Sequence, residues 1–266
     1  MNKFDKIIKD IKSVKIQGAT HIALAGMHAY LLKHDKNSVK KILNTRPTEP
    51  LLQTAISILE SVPEKDKINY ANTIKKYIEK SEKKIADFGS RLIKNHFTVF
   101  IHCHSTTVME VLKRAKKQSK HFTVYISTAH PLYQGKLSAK ELAKHKIHVV
   151  MISDLTVETF VDKADIVFFG ADAIINKGII NKIGTSIIAK EAHEKKIPVY
   201  CTSISWKYTK KIPKIEIRDP KELFNEKSKY ISEINPAFDF TDKKFITEII
   251  TEFGIEKYDK FLKRMR

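Results

Sequence analysis

The chain has 266 residues, of which 42% are hydrophobic, and its 49 Lys and Arg against 30 Asp and Glu give a formal net charge of +19. This length allows one large domain or two small ones. No apolar run reaches the ~18 residues that a membrane-spanning helix needs. The charged N-terminus lacks the pattern of a signal peptide. Two cysteines without CxxC or HExxH spacing exclude a disulfide scaffold and the usual zinc motifs, and they predict a reducing, cytoplasmic location.

The positive charge is spread along the chain, with 19 basic against 10 acidic residues in 1–95 and 30 against 20 in 96–266. Only six of the 49 basic residues are arginine. Specific recognition of nucleic acid relies on arginine forks and on aromatic residues interleaved with basic ones, so this composition argues against a nucleic-acid partner. A lysine-rich, solvated surface that attracts small anionic substrates fits the charge better.

The first 95 residues carry helical periodicity without strand-like alternation. Further helical patterns cover 21–33, 50–61 and 66–94, which predicts an N-terminal helical domain over residues 1–95. The first apolar stripe, spaced as on one helix face, consists of Phe4, Ile7, Ile8, Ile11 and Val14.

From residue 97 onward, short β-branched and aromatic runs alternate with helical segments. This order predicts an α/β fold, a Rossmann-like parallel sheet with helices on both faces, over residues 96–266. After Asp239 we expect a last helix, because Ile246, Ile249, Ile250 and Phe253 follow helical spacing. No GxGxxG or GxxxxGK[ST] motif is present, which argues against a dinucleotide domain and a P-loop. The strand-like runs are 97–103, 122–127, 148–153, 165–170 and 197–203, and the helical segments are 106–118, 138–145, 155–163 and 185–195.

Polar residues follow several of these runs, at the sheet edge where open parallel sheets bind ligands. Cys103 ends the first run before a Ser-Thr-Thr helix start, whose N-terminus would favour a thiolate; a small buried hydrophobe is the alternative. His102 and His104 share one strand face, but no third residue is spaced to complete a metal site. Asp172 follows the fourth run and is either a catalytic acid or a turn cap.

Two further segments bring cations to the same edge. Residues 181–186 offer an amide, an ammonium and the N–H groups of a helix start, which suits a phosphate; a plain loop with a Thr cap is the alternative. Lys207 follows the fifth run. A thiol, a carboxylate and two lysines at one edge favour acid–base chemistry on a phosphorylated metabolite.

In this order the motifs resemble the isomerase family that includes methylthioribose-1-phosphate isomerase, archaeal ribose-1,5-bisphosphate isomerase and the α, β and δ subunits of initiation factor 2B. The similarity covers nearly the whole chain. The motifs that carry it are Gln17-Gly18-Ala19, Arg46-Pro47-Thr48, His102-Cys103-His104-Ser105, Gln134-Gly135, Gly170-Ala171-Asp172, Asn181-Lys182-Ile183-Gly184-Thr185 and Asn235-Pro236-Ala237-Phe238-Asp239.

The resemblance implies an aldose–ketose isomerase of archaeal-type AMP metabolism that converts a sugar 1-phosphate, with ribose 1,5-bisphosphate as the favoured substrate. Cys103 would be the catalytic base and Asp172 the acid, and neither a metal nor an organic cofactor is needed. The resemblance also implies a homodimer or a higher homo-oligomer. The residues matched to substrate binding are Gly18, Ala19, Arg46, Ser105, Thr106, Thr107, His130, Asn181, Lys182 and Lys207.

Two positions depart from the family pattern, because Gln17 and His130 stand where the family has arginine. A protonated His130 would partly replace the lost cation, whereas each lost charge-assisted contact would weaken binding by about 1.5–3 kcal/mol. A second interpretation therefore stays open: a non-catalytic, initiation factor 2B-like regulatory subunit that binds a nucleotide or a sugar phosphate. The presence of both Cys103 and Asp172 favours the enzyme.

Overall fold

The computed structural model describes residues 1–226 and 228–265. The N-terminal part is helical, as expected. Local signals mark its helix ends: the Asn2 side chain accepts a hydrogen bond from the Asp5 N–H, and Pro50 occupies the first turn of its helix, where no N–H is needed. The helices are α1 (Lys3–Lys12), α2 (Ala19–Leu32), α3 (Lys36–Leu43), α4 (Pro50–Glu60) and α5 (Lys67–Leu92).

Strands and helices alternate after α5. The first strand begins at Thr98, so the change from helices to alternating strands and helices occurs where the sequence predicts it. The division of the chain into two domains at residue 95 stays a prediction. The first half contains β1 (Thr98–Ile101), α6 (Thr106–Lys117), β2 (Thr123–Ser127), α7 (Gln134–Lys144), β3 (His148–Ile152), α8 (Val157–Val161) and β4 (Ile166–Phe169). The second half contains β5 (Ala173–Ile175), β6 (Gly178–Lys182), α9 (Thr185–Glu194), β7 (Val199–Thr202), β8 (Phe238–Asp242), β9 (Glu248–Thr251), β10 (Gly254–Glu256) and α10 (Tyr258–Arg264).

The main sheet has the strand order β10-β9-β7-β4-β1-β2-β3. Every neighbouring pair in it is parallel except β9 with the edge strand β10. From β1 the chain builds outward through β2 to β3, then returns to place β4 on the other side of β1. Strand order therefore reverses between β1 and β4, and in open α/β sheets this point forms a crevice at the carboxyl ends of the two strands.

Alternating side chains of the central strands enter two different cores. Val99 and Ile101 of β1 pack in the core that holds α5, α6 and α7, whereas Phe100 packs in the core that holds α8 and α9. Because successive strand residues point to opposite faces, this alternation requires helices on both sides of the sheet. The N-terminal helices share the first core, and a methyl group on Gly89 of α5 would lie 2.6 Å from Val111 of α6.

The expected C-terminal helix over residues 246–253 is wrong, since this segment contains the strand β9. Ile249 and Ile250 are both fully buried because β9 lies inside the sheet, between β7 and β10. A strand that is covered on both faces carries apolar residues at successive positions, so its sequence does not alternate between apolar and polar residues. In so short a segment this pattern also fits the spacing of apolar residues on a helix. The true last helix is α10.

A second, antiparallel sheet has the order β5-β6-β8. It corrects the expected loop at 181–186, because Asn181 and Lys182 end strand β6 and pair there with Asp239 and Phe238 of β8. The Tyr258 hydroxyl donates to the carbonyl groups of Ile175 and Gly178, at 2.9 and 2.5 Å, and so fastens the β5–β6 hairpin to α10.

Candidate functional site

A cavity opens at the carboxyl ends of β1 and β4, where the strand order reverses. Eleven of the twelve residues predicted for the site line it, and His130 does not. The predicted residues at the cavity are Gly18, Ala19, Arg46, Cys103, Ser105, Thr106, Thr107, Asp172, Asn181, Lys182 and Lys207. Residues of the N-terminal helices and of both sheets therefore contribute to one site.

Cys103 follows β1 with a backbone φ of +64°, a left-handed conformation that is uncommon outside glycine. Its thiol donates to Gln134 Oε1 at 3.3 Å, and Gln134 Nε2 donates to Gln17 Oε1 at 3.1 Å. The Ser138 hydroxyl holds the cysteine backbone by donating to its carbonyl oxygen at 3.0 Å. These contacts aim the thiol into the cavity and connect it to Gln17, one of the two departures from the family pattern.

Burial raises the pKa of the Cys103 thiol to about 12, and the charges of Asp172 and Asp154 act in the same direction. The ammonium of Lys182 and the His104 N–H oppose this rise. The helix start alone therefore does not make Cys103 a thiolate in the free chain, in contrast to the expectation from its position. Lys182 is the cation that favours the thiolate once the proton leaves.

His102 and His104 have structural partners instead of a shared ligand. His102 is buried between the Ser127 hydroxyl, 2.5 Å from Nδ1, and the Ile183 carbonyl, 2.8 Å from Nε2. Burial lowers the pKa of His102 to about 4, so its ring is neutral at physiological pH. His104 Nδ1 lies 2.8 Å from the Ser138 hydroxyl. Within the described ranges, no group of three or more His, Cys, Asp and Glu side chains is arranged for a metal ion.

Asp172 lies in a buried cluster of charged groups. Glu49, which directly follows the Arg46-Pro47-Thr48 motif and is 1% exposed, lines the same cavity. The Lys207 ammonium donates to the Ala171 carbonyl at 2.7 Å. Arg46 lies 3.9 Å from Glu49 Oε1 and 3.3 Å from Glu216 Oε2.

Burial favours the protonated form of the carboxyl groups in this cluster. Burial raises the pKa of Glu49 to about 8, and the negative charge of Asp172 adds to the rise. Burial also raises the pKa of Asp172, while Lys207 and Arg46 act against the rise for both acids. A group that must donate a proton near neutral pH needs such an environment.

Helix α6 begins at the cavity, and its first N–H groups point toward the carboxyl edge of the sheet. Gly170 allows the start of α6 to lie close to the end of β4, because a methyl group at Gly170 would lie 2.3 Å from the Ser105 hydroxyl oxygen. The Thr107 hydroxyl donates to the Thr202 carbonyl at 3.0 Å, which joins the helix start to β7. This end of α6 suits an anion.

The N-terminus of α9 does not offer a second such site, contrary to the expectation for residues 181–186. The Asp239 carboxylate already accepts hydrogen bonds from the N–H groups of Gly184 and Ser186, at 2.8 and 3.1 Å. Asn181 and Lys182 still line the cavity, with the Asn181 amide donating to the Thr185 hydroxyl at 3.0 Å. Lys182 is 4% exposed, and burial lowers the pKa of its ammonium.

His130 is exposed and lies outside this cavity, beside a neighbouring one that it lines with Asp154 and Ile187. The Asp154 carboxylate fixes its loop by accepting hydrogen bonds from the N–H groups of Ala129 and His130, both at 2.8 Å. His130 thus lies at this second cavity, whereas Cys103 and Asp172 line the first. The prediction that His130 contacts a substrate phosphate gains no support from this position.

Sequence reasoning missed two residues of the site. Gln134, which accepts the thiol hydrogen bond, stands in a motif that carried the family resemblance, so that motif was a usable signal. Glu49 had no such signal, because a glutamate between a threonine and a proline reads as a surface residue. Only the fold shows that it is buried beside Asp172.

The chain is similar in sequence to known proteins. The model of the initiation factor 2 subunit family matches residues 11–257. A ribose 1,5-bisphosphate isomerase of Archaeoglobus fulgidus is 34% identical over 270 residues, which cover 92% of this chain and 86% of that protein. A putative translation initiation factor eIF-2B subunit 2-like protein of Pyrococcus furiosus is 31% identical over 267 residues, covering 95% and 96% of the two chains.

A similar fold is found in a crystal structure of the translation initiation factor eIF-2B of Pyrococcus horikoshii OT3. It has a TM-score of 0.86 and 26% sequence identity, and the match covers 97% of this chain and 98% of that one. The α/β fold class and the family suggested by the motifs are confirmed. The relatives include proteins named as isomerases and proteins named as translation factors.

Proposed function

Because the chain belongs to the initiation factor 2 subunit family, which has isomerases among this chain's relatives, we propose that it is an aldose–ketose isomerase of a sugar 1-phosphate. The proposed reaction converts ribose 1,5-bisphosphate to ribulose 1,5-bisphosphate. The observation that supports this most is that a thiol, Cys103, and a carboxyl group, Asp172, face one cavity from the ends of adjacent strands.

The chemistry follows from the substrate. An anomeric phosphate prevents spontaneous opening of the sugar ring, so the ring must open during catalysis. In the complex the Cys103 thiol has lost its proton to water, and the resulting thiolate, favoured by Lys182, removes the proton from C2. The C1–C2 double bond forms, and the ring oxygen leaves C1 with a proton from Asp172. The 2-hydroxyl group of the enol then loses its proton to Asp172 as the ketone forms, and C1 takes the proton held by Cys103. Positioned acids and bases accelerate such transfers by about 10²–10⁴-fold each.

The charges of the cavity suit a phosphorylated substrate. Arg46, Lys182 and Lys207 are cationic, buried and oriented to one cavity, and the start of α6 adds backbone N–H groups. Such groups bind phosphate oxygens strongly when water is excluded. Asn181 and the hydroxyl groups of Ser105 and Thr106 supply hydrogen bonds for the sugar.

A second candidate is a non-catalytic regulatory protein that binds a nucleotide or a sugar phosphate. Gln17 favours it, because a neutral amide occupies the cavity where the family pattern has an arginine. The two functions differ in turnover and not in binding.

The decisive experiment incubates the purified protein with ribose 1,5-bisphosphate and follows the ketose product. Formation of ribulose 1,5-bisphosphate by the wild type, and not by the Cys103→Ser variant, is the expected result. Calorimetric binding of the sugar phosphate without any product contradicts the isomerase and supports the regulatory protein.

A further inference from the structure

Two neutral amides connect the Cys103 thiol to the segment between α1 and α2. The thiol donates to Gln134 Oε1 at 3.3 Å, and Gln134 Nε2 donates to Gln17 Oε1 at 3.1 Å. In the part of the chain that the structure describes, Gln134 is the only side chain hydrogen-bonded to this thiol. This arrangement suits the protonated form. Once the proton has left, the same Gln134 oxygen would face a negatively charged sulfur that has no hydrogen to donate.

The backbone of Gln134 is fixed, whereas its amide group can rotate. The N–H group of the next residue, Gly135, donates to the Thr128 carbonyl at 3.1 Å. A methyl group on Gly135 would lie 2.0 Å from the Ser127 carbonyl oxygen, so the first turn of α7 lies tightly against the end of β2. The last side-chain torsion of glutamine is broad and roughly two-fold. Half a turn about it exchanges the oxygen and the nitrogen of Gln134 at almost unchanged positions.

Such a half-turn requires a matching change at Gln17. Gln134 then donates from Nε2 to the thiolate and presents Oε1 to Gln17, which must donate where it accepted before. Glutamine can do both because its amide carries a donor and an acceptor, whereas a carboxylate only accepts and a guanidinium only donates.

The charged groups that face Cys103 come from several elements. Lys182 of β6 favours the thiolate, and Asp172 after β4 and Asp154 after β3 oppose it. The amide groups of Gln17 and Gln134 are neutral, so their rotation changes the hydrogen bonding of the sulfur and leaves the net charge of the cavity unchanged. The other titratable residues that line the cavity are Arg46, Glu49, His102, His104 and Lys207.

We propose that Gln17 and Gln134 form a reversible amide pair that rotates when Cys103 loses or regains its proton, so that the sulfur has a hydrogen-bond acceptor as a thiol and a donor as a thiolate. Gln17 is a positioning residue that acts through Gln134. The role of the thiolate in catalysis rests on the isomerase function proposed above, but the rotation of the amides needs no substrate.

The rate of alkylation of Cys103 by iodoacetamide tests the pair, because the thiolate is the form that reacts. In a Cys201→Ala background Cys103 is the only thiol of the chain, and mass spectrometry follows its alkylation at about pH 8.5. Gln17→Glu keeps an acceptor but cannot donate, so it holds Gln134 Oε1 toward the sulfur and leaves the thiolate without its donor. We expect alkylation to slow at least about tenfold, as for the loss of a hydrogen bond to a charged group.

The new carboxylate also brings a negative charge, and the Gln134→Leu background measures that effect separately. With leucine at this position no amide joins position 17 to the sulfur, so Gln17→Glu acts through its charge alone and should slow alkylation by less than about threefold. The effect of the leucine itself is common to both members of this comparison. Equal slowing with and without the Gln134 amide overturns the proposal.

Two further variants at position 17 complete the test. Gln17→Leu is the uncharged control: it leaves Gln134 free to rotate, so alkylation should stay within about threefold of the wild type. Slowing as large as that of Gln17→Glu overturns the proposal. Gln17→Arg only donates, holds Gln134 Nε2 toward the sulfur and should accelerate alkylation, more strongly with Gln134 than with leucine there. An acceleration that does not depend on Gln134 also overturns it. Circular dichroism checks the fold of each variant.

A rate assay separates this proposal from the proposed reaction. Turnover of ribose 1,5-bisphosphate should fall together with alkylation in Gln17→Glu. The expected alkylation pattern in a protein that does not convert ribose 1,5-bisphosphate refutes the proposed reaction and leaves the amide pair standing.

Discussion

Cys103 combines an unusual backbone conformation with a thiol whose pKa is raised by its surroundings. We predict that Cys103→Ser reduces turnover by at least about 10²-fold, because a serine hydroxyl packs similarly but has a pKa far too high for a base near neutral pH. The measurement is the rate of ketose formation beside a circular dichroism spectrum. The spectrum should not change.

Cys201 provides the matched control for this prediction. It is fully buried, its pKa is also raised by burial, and it does not line the cavity. Cys201→Ala is expected to lose some stability but to keep its activity. Equal rates for the wild type and Cys103→Ser would remove Cys103 from the mechanism.

Asp172 has a different expected phenotype. Asp172→Asn keeps the shape of the side chain but removes the proton that the ring oxygen needs, so binding of the sugar phosphate should persist while turnover falls by at least about 10²-fold. Calorimetric titration and a rate assay measure the two properties separately. Normal turnover in this variant would assign Asp172 to a structural role, such as that of a turn cap, the alternative that the sequence also allows.

At the scale of single residues, sequence alone identified the groups that carry a recognisable chemistry. It placed Cys103, Asp172 and Lys207 at strand ends, and the structure brings them to one cavity. It could not identify Glu49, because burial and charge balance depend on contacts between distant segments. It also could not foresee that hydrogen bonds to Asp154 direct His130 to another cavity.

At the scale of elements, the parallel strands and their helices were predictable because each has its own hydrophobic pattern. The strands β1, β2, β3, β4 and β7 all lie within the predicted runs. The second sheet was not predicted, because β5 and β6 are short and fully buried, without alternation. The strand β9 has a helix-like spacing of apolar residues for the same reason.

The attachment of the second sheet to α10 yields a stability prediction. Tyr258→Phe removes the hydroxyl that donates to the Ile175 and Gly178 carbonyl groups, so it should lower the free energy of unfolding by about 1–3 kcal/mol. Denaturant titration measures this change. Tyr230→Phe alters a tyrosine that is 84% exposed and should have no measurable effect. Equal losses in the two variants would show that the hydrogen bonds of Tyr258 do not stabilise the hairpin.

At the scale of the molecule, the family resemblance predicts a homodimer or a larger assembly. The surface first considered for it, residues 246–253, is largely unavailable because Ile246, Ile249 and Ile250 pack inside the chain's own core. The prediction of an oligomer therefore rests on the resemblance. Light scattering at micromolar concentration should give at least twice the chain mass of 30.6 kDa, and a value equal to that mass would contradict it.

The cavity is closed by contacts between segments that are far apart in the chain. The Thr48 hydroxyl donates to the Lys214 carbonyl, 166 positions later, beside the contact of Arg46 with Glu216. Such contacts carry a large loop-closure entropy and form late in folding, after local helices and neighbouring strands. During synthesis, Cys103 leaves the ribosome well before Lys207 and Glu216 do, and until they join, its thiol lacks the walls that bury it. Because the site is assembled across the whole chain, its catalytic thiol is open to oxidation for a period during synthesis. A reducing environment therefore protects the enzyme most while it is still being made.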